Sequence, residues 1–313
     1  MNNKKNENVV KTVSVKEFAK ELELEIVYEG SGKIEVQSIS VSRPGLQISG
    51  FYKFFDNKRI QVIGNAEYDF LKSLTAAKRK ATIEELISKE LPCLIFSRNL
   101  PVFDEIPEIA KKYECPIFRS SKVTILLIND IMVYQSELLA PTEIVHGVLM
   151  DIFGVGILIK GRSGIGKSEI ALELVNRGHR LVADDSVILK YINDQVVGKS
   201  PEKIRYYMEI RGIGIINVQQ MFGPGAVSPS KRVDIIAELS PWAEGDTYDR
   251  IGYEENYENI LGVDKLKIVV PVSPGRNIPV VLETAARNFR LKQAGFDASA
   301  DLIASVFGKP DVK

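Results

Sequence analysis

The sequence predicts an α/β fold in two domains, a first α/β domain over residues 1–135 and a second over residues 136–313. Three observations predict it. Helical and strand-like apolar patterns alternate along the first half. A proline interrupts the chain within Ser136-Glu137-Leu138-Leu139-Ala140-Pro141. Beyond it, a glycine-rich loop stands between an apolar run and an amphipathic stretch. With 313 residues, 45% of them apolar and 26% charged, the chain is long enough for two separately cored domains. No segment repeats, so the second domain is not a copy of the first.

Val13, Phe18 and Leu22 recur at helical spacing and predict a helix over residues 9–23. Residues 34–39 and 60–63 predict short strands. The apolar runs 92–96 and 123–128, each bounded by polar segments, predict two more, with a helix over 105–113 between them. Residues 155–159 form a continuous apolar run suited to a buried parallel strand. Residues 169–177 place Ile170, Ala171, Leu174 and Val175 on one helical face before Gly178 stops the helix. Leu181-Val182-Ala183 predicts a strand ending in Asp184-Asp185. Residues 208–217 predict an apolar strand carrying Glu209, Arg211 and two closely spaced glycines. Residues 222–226, rich in glycine and proline, predict a mobile loop, and 271–277 a rigid turn.

Composition excludes several functions. Lys plus Arg and Asp plus Glu both total 41, so no global field draws the chain to nucleic acid or to an anionic membrane. Lys78-Arg79-Lys80 is short and reads as a solvated helix face. The two cysteines, Cys93 and Cys115, each lie in an apolar stretch, which argues against a disulfide framework or a cysteine metal site and points to a reducing cytosol. No signal-peptide core follows the polar N-terminus, and no apolar run approaches the roughly 18 residues that a membrane span needs.

The chemistry begins at Gly161-Arg162-Ser163-Gly164-Ile165-Gly166-Lys167-Ser168, which fits the phosphate-binding pattern G-x-x-x-x-G-K-[ST] without departure. Glycines let backbone N–H groups turn inward around phosphate oxygens, and the following helix adds its positive dipole end. Lys167 is placed to neutralise the β and γ oxygens of a nucleotide, and Ser168 to give its hydroxyl to magnesium. Asp184 and Asp185 end the next strand. Adjacent strand residues point to opposite faces, so the two carboxylates have different jobs and one faces the transferred phosphoryl group. The loop names a ligand but no acceptor.

Three further motifs narrow the choice: Met208-Glu209-Ile210-Arg211-Gly212-Ile213-Gly214, Pro271-Val272-Ser273-Pro274-Gly275-Arg276-Asn277, and His146 within Thr142-Glu143-Ile144-Val145-His146-Gly147. With the loop and the aspartate pair they resemble the HPr kinase/phosphorylase family, as do Ser42-Arg43-Pro44-Gly45-Leu46 and Glu67-Tyr68-Asp69-Phe70-Leu71 in the first half. The resemblance implies a P-loop kinase domain resembling the phosphoenolpyruvate carboxykinase-like core. It implies ATP and Mg2+ for phosphorylating a serine of the phosphocarrier protein HPr. It also implies the reverse reaction, in which inorganic phosphate removes the phosphoryl group as pyrophosphate, within carbon catabolite regulation. By the same resemblance Asp185 is the acid/base, Ser168 and Glu209 hold magnesium, His146 and Arg250 are further active-site residues, and residues 271–276 serve dephosphorylation. A cytoplasmic homohexamer is implied as well. A small-molecule kinase on the same scaffold and a nucleotide-sensing module without chemistry are the alternatives. His179 is expected to be a solvated turn residue, and Trp242 to serve packing or partner contact.

Overall fold

Short runs rich in valine and isoleucine end at glycine, proline or serine along the chain. In the computed structural model, which describes residues 10–242 and 256–307, these runs pair into five sheets. Two compact units hold them, Met1–Ala140 and Pro141–Lys313.

The first unit opens with β1 (Lys11–Ser14), α1 (Val15–Leu22), β2 (Glu25–Tyr28) and β3 (Lys33–Val36). The helix expected from residue 9 therefore starts only at Val15. Thr12 and Val13, both β-branched, pair with Glu35 and Ile34, and the Ser14 hydroxyl starts the helix by accepting the Glu17 N–H at 3.1 Å. There follow β4 (Val41–Ser42), α2 (Gly45–Ile48), β5 (Ile60–Ile63), α3 (Asn65–Ser73), α4 (Ala76–Ile87), β6 (Leu94–Phe96), α5 (Ile106–Tyr113), β7 (Ile117–Arg119) and α6 (Thr124–Leu139). Strands β4, β5, β6 and β7 are parallel neighbours, and β2 closes one edge antiparallel. Strand alternation splits the core in two: Val62 and Ile95 pack with Phe18, Phe118, Leu127 and Ile131, whereas Ile63 and Phe96 pack with Leu71, Leu86 and Ile109.

The run 123–128, expected as a strand, instead opens α6. Buried Thr124, Leu127, Ile131 and Gln135 recur every three or four residues, a helical stripe too long to be visible within the run itself. Because α6 continues to Leu139, the first compact unit extends to Ala140.

The second unit comprises β8 (Thr142–His146), β9 (Val148–Ile152), β10 (Val155–Gly161), α7 (Lys167–Asn176), β11 (Arg180–Ala183), β12 (Ser186–Ile192), β13 (Gln195–Lys199), β14 (Tyr207–Ile210), β15 (Gly214–Asn217), α8 (Val218–Phe222), β16 (Ser230–Arg232), β17 (Ile235–Pro241), β18 (Asn256–Ile260), β19 (Val263–Val272), α9 (Ile278–Gln293) and α10 (Ala298–Phe307). Its main sheet has the order β11-β9-β10-β17-β19-β18. Strand β10 is parallel to β17 but antiparallel to β9, because Phe153 and Gly154, both at positive φ, turn β9 back onto it. Strand β11 also opposes β9, so it points the same way as β10, β17 and β19. The carboxyl ends of these four strands therefore share one edge, which positions the site. Helices α7 and α9 pack on one face around Ile157, Ala171, Leu174 and Leu282. A second sheet, β16-β13-β12-β8, covers the other around Leu149, Leu158, Val187 and Leu189.

Residues 208–217, expected as one strand, form the antiparallel hairpin β14–β15, since Gly212 at φ 82° reverses the chain. The stretch expected as a mobile loop ends α8 and forms a 3-10 turn at Pro224–Ala226, after which the Ser228 N–H bonds to the Leu181 carbonyl at 2.8 Å. His179 is not solvated. It is 4% exposed, with Nε2 2.9 Å from Glu283 Oε1 and its ring edge-on to Phe153, so the turn after α7 tucks inward to satisfy both partners. Trp242 is 51% exposed, and its backbone N–H donates to the Val272 carbonyl at 3.0 Å. Among the described residues no helix is long and apolar enough to cross a membrane.

Candidate active site

Strand β10 ends at Gly161, where a Cβ would stand 2.8 Å from the Leu239 carbonyl oxygen and φ is 144°, so no side chain fits. The chain then turns through Gly164 and Gly166, both at positive φ, into α7, which begins without a side-chain cap. Its first N–H groups keep their capacity to bind an anion. Lys167 Nζ donates to the Gly161 carbonyl at 2.9 Å and the Arg162 carbonyl at 3.2 Å, which folds the ammonium back across the loop.

The two aspartates after β11 diverge. Asp184 is 5% exposed and accepts the Ser168 hydroxyl on both oxygens, at 2.9 and 3.1 Å. Burial pushes its carboxyl up to about 6. The neighbouring Asp185 charge pushes the same way, while the Ser168 hydroxyl and the backbone amides of Glu209 and Asp185 oppose the shift. Asp185 adopts a left-handed backbone at φ 66°, and its side chain is 73% exposed. Its Oδ1 accepts from His146 Nδ1 at 3.0 Å. The β8–β12 register sets His146 opposite Ser186, and the Gly147 N–H donates to the Asp185 carbonyl at 3.1 Å, so main chain and side chain both fix the pair.

The β14–β15 hairpin supplies the remaining wall. Glu209 faces the cavity, and the Arg211 guanidinium lies over Gly164, 3.1 Å from where a Cβ would stand. The cavity, open to solvent on one side, has a volume of about 370 Å3 and is lined by His146, Ser163, Gly164, Gly166, Lys167, Ser168, Asp184, Asp185, Glu209 and Arg211 among others. A glycine-turned loop with its lysine thus faces one buried and one exposed carboxylate.

Comparison with known proteins places the chain. Residues 137–306 match the family described as HPr Serine kinase C-terminal domain, and residues 13–134 match HPr Serine kinase N terminus. The chain belongs to the HPr serine kinase family. An HPr kinase/phosphorylase from Peptoclostridium acidaminophilum is 47% identical over 291 residues, covering 92% of this chain and 94% of the relative. One from Caldicellulosiruptor bescii is 41% identical over 292 residues, covering 92% and 94%. A solved structure of the Hpr(Ser) kinase/phosphatase from Coxiella burnetii is 39% identical and covers 51% of this chain and 98% of its own, with a TM-score of 0.47.

For this family member, the cavity gathers His146, Ser163, Gly164, Gly166, Lys167, Ser168, Asp185 and Glu209 from the residues that the sequence singles out. Gly161 and Arg162 contribute the carbonyls that hold Lys167, and Ile165 packs against the apolar core beneath the loop. Arg250 lies outside the described residues.

Ser168, Asp184 and Glu209 present oxygen donors to one cavity, which suits a hard cation such as Mg2+ that keeps waters and substrate phosphates in its shell. Among the described residues no group of three or more His, Cys, Asp or Glu side chains is arranged to hold a metal ion. The sequence reading left the task of Asp184 open and did not assign Arg211 or Tyr207 to the site. Tyr207, Glu209 and Arg211 follow one another at every second position, a spacing that puts them on one side of a strand and offers the missing signal.

Proposed function

We propose that this chain phosphorylates a serine of the phosphocarrier protein HPr with ATP, and dephosphorylates phosphoserine-HPr by phosphorolysis. Family membership and the names of its relatives support the reading. The observation that carries it is the exposed Asp185 carboxylate, held by His146 at the rim of a cavity whose floor is the 161–168 loop. Being open, it can meet a hydroxyl carried on a protein surface.

In the forward direction the loop amides and Lys167 grip the ATP phosphates and offset charge spreading over the γ-phosphoryl oxygens. As the serine oxygen bonds to the γ-phosphorus and the bond to the β,γ-bridging oxygen breaks, Asp185 takes the serine proton. His146 keeps Asp185 aimed at that proton, and Arg211 and Arg250 add positive charge at the transferring group. In reverse, an oxygen of inorganic phosphate attacks phosphoserine, the serine oxygen leaves with the proton from Asp185, and pyrophosphate is released. Ser168 and Glu209 would hold magnesium, with Asp184 accepting from the Ser168 hydroxyl, and the bound ion would supply charge neutralisation across the phosphates. The turn over residues 271–276 orients the attacking phosphate. The same loop geometry suits pyrophosphate as an alternative donor. The reading places the enzyme in the cytoplasm as a homohexamer serving carbon catabolite regulation.

The test is direct. The purified protein is incubated with magnesium, labelled ATP and HPr, in parallel with a panel of sugars and metabolites. Phosphoserine is located by mass spectrometry, and phosphoserine-HPr is then treated with phosphate. Label should enter HPr alone, and pyrophosphate should appear in step with serine release. Label in a metabolite, or nucleotide binding without any transfer, overturns the reading.

A further inference from the structure

The first unit carries a cavity of its own at the edge where the parallel strands β4, β5, β6 and β7 end. Carboxyl ends of parallel strands are where open α/β sheets bind ligands, because connecting loops and helix starts converge there. After β5 the chain enters α3 on one face of the sheet, and after β7 it enters α6 on the other. Gly64 marks the join: a Cβ there would stand 3.0 Å from Thr124 Oγ1 and 3.2 Å from Arg43 Nη2. Beside it opens a cavity of about 390 Å3 whose walls include Arg43, Asn65, Arg98, Thr124, Ile125 and Ile128.

Positive charge in this cavity is only partly cancelled. Arg43 pairs at 2.7 Å with Glu67, which is nearly buried and also accepts the Gly64 N–H at 3.0 Å. Arg98 has no side-chain partner among the described residues, and its position is fixed from the main chain. Its N–H donates to the Lys122 carbonyl at 2.9 Å, and the Asn99 N–H to the Ser120 carbonyl at 2.8 Å. Helix α6 has neither a side-chain cap nor an acidic residue in its first turn, and its Asp130 is taken by Lys122 at 3.0 Å. A cavity of about 630 Å3 elsewhere in the same unit sets Lys33 and Lys58 against Glu35, Glu90 and Glu114, which gives it no preference for an anion. Beside Arg98 the wall turns apolar: Ile125 is 70% exposed and Ile128 adjoins it.

We propose that this cavity binds a small phosphomonoester, with Arg98 as the principal cation, Arg43 as the second, and Ile125 and Ile128 against the body that carries the phosphate. A guanidinium fork suits phosphate oxygens, and an apolar wall suits a sugar or base face. The proposal stands apart from the reading of the 161–168 loop, since no residue is shared.

The full-length protein carrying Lys167→Ala, which weakens the loop site, is titrated calorimetrically with inorganic phosphate, glucose 6-phosphate and AMP, with and without Arg98→Ala. At least one of the two esters should bind saturably and more tightly than inorganic phosphate. Arg98→Ala should weaken it by about tenfold or more, the scale of one lost charge-assisted hydrogen bond. Arg98 is exposed and has no side-chain partner among the described residues, so the thermal midpoint should not move. Phenylglyoxal labelling read by mass spectrometry locates the site: the bound ester should slow modification of Arg98, and the arms identify a sugar or a nucleoside carrier. Absence of saturable binding, affinity no better than that for inorganic phosphate, indifference to Arg98→Ala, or protection confined to Arg162 and Arg211 overturns the proposal.

Discussion

The inner and outer walls of the candidate active site are built from the same residue type, one position apart. On the inner wall Asp184 is buried, takes the Ser168 hydroxyl and is pushed up to about 6 by desolvation. On the outer wall Asp185 steps out through a left-handed residue and meets His146. Two identical side chains thus receive different tasks from their surroundings, the pattern by which enzymes separate roles between paired carboxylates. In the proposed function the inner group serves the phosphate and metal end of the cavity, and the outer one an acceptor arriving from solvent.

The comparison breaks most visibly at Asp185. Asp185→Asn should lower turnover in both directions by about 10³-fold, within the usual range for a lost acid/base, while nucleotide affinity stays near wild type. Asp184→Asn should lower turnover by about 10²-fold and raise the magnesium concentration needed for half-maximal activity. An unchanged magnesium requirement would separate Asp184 from the metal.

Protonation sharpens the contrast further. The folded Asp184 carboxyl titrates at about 6 against an ordinary 3.8. Between those values the fold retains a proton that the unfolded chain has released, so stability falls as pH rises through the window. A shift of about two units amounts to about 3 kcal/mol. Chemical denaturation in the presence of a chelator, from pH 4 to pH 7, should show this slope in the wild type and not in Asp184→Asn; equal slopes would contradict the burial argument. The smallest effect belongs to His146→Gln, which removes the titratable ring while keeping a donor. Turnover should fall by about tenfold with little change in KM for ATP, and a rise in that KM would place His146 at the nucleotide instead.

How much of this was legible in the sequence follows from how local each signal is. The 161–168 loop, its strand and its helix are contiguous, so residue types alone reveal them. The divergence of Asp184 from Asp185 is expected from strand alternation, but β11 ends at Ala183 and the two part in the bend after it, where Asp185 takes φ 66°. Which of the two is buried depends on Ser168 and on the Glu209 amide, which the fold brings from other elements. His179 misleads for the same reason, since its partner Glu283 lies on a distant helix. The start of α6 is ambiguous because a short apolar run fits a buried strand and a helix equally well. The cavity in the first unit has no contiguous motif, as its walls come from the ends of several strands.

The division of labour between the two aspartates is tested most directly by following magnesium-dependent ATP binding and single-turnover phosphate transfer to HPr side by side in Asp184→Asn and Asp185→Asn. The account predicts that Asp185→Asn binds magnesium and ATP normally yet transfers phosphate about 10³-fold more slowly at every magnesium concentration. Asp184→Asn should bind them weakly and recover transfer as magnesium is raised. Two variants failing at the same step, with the same magnesium response, would contradict it.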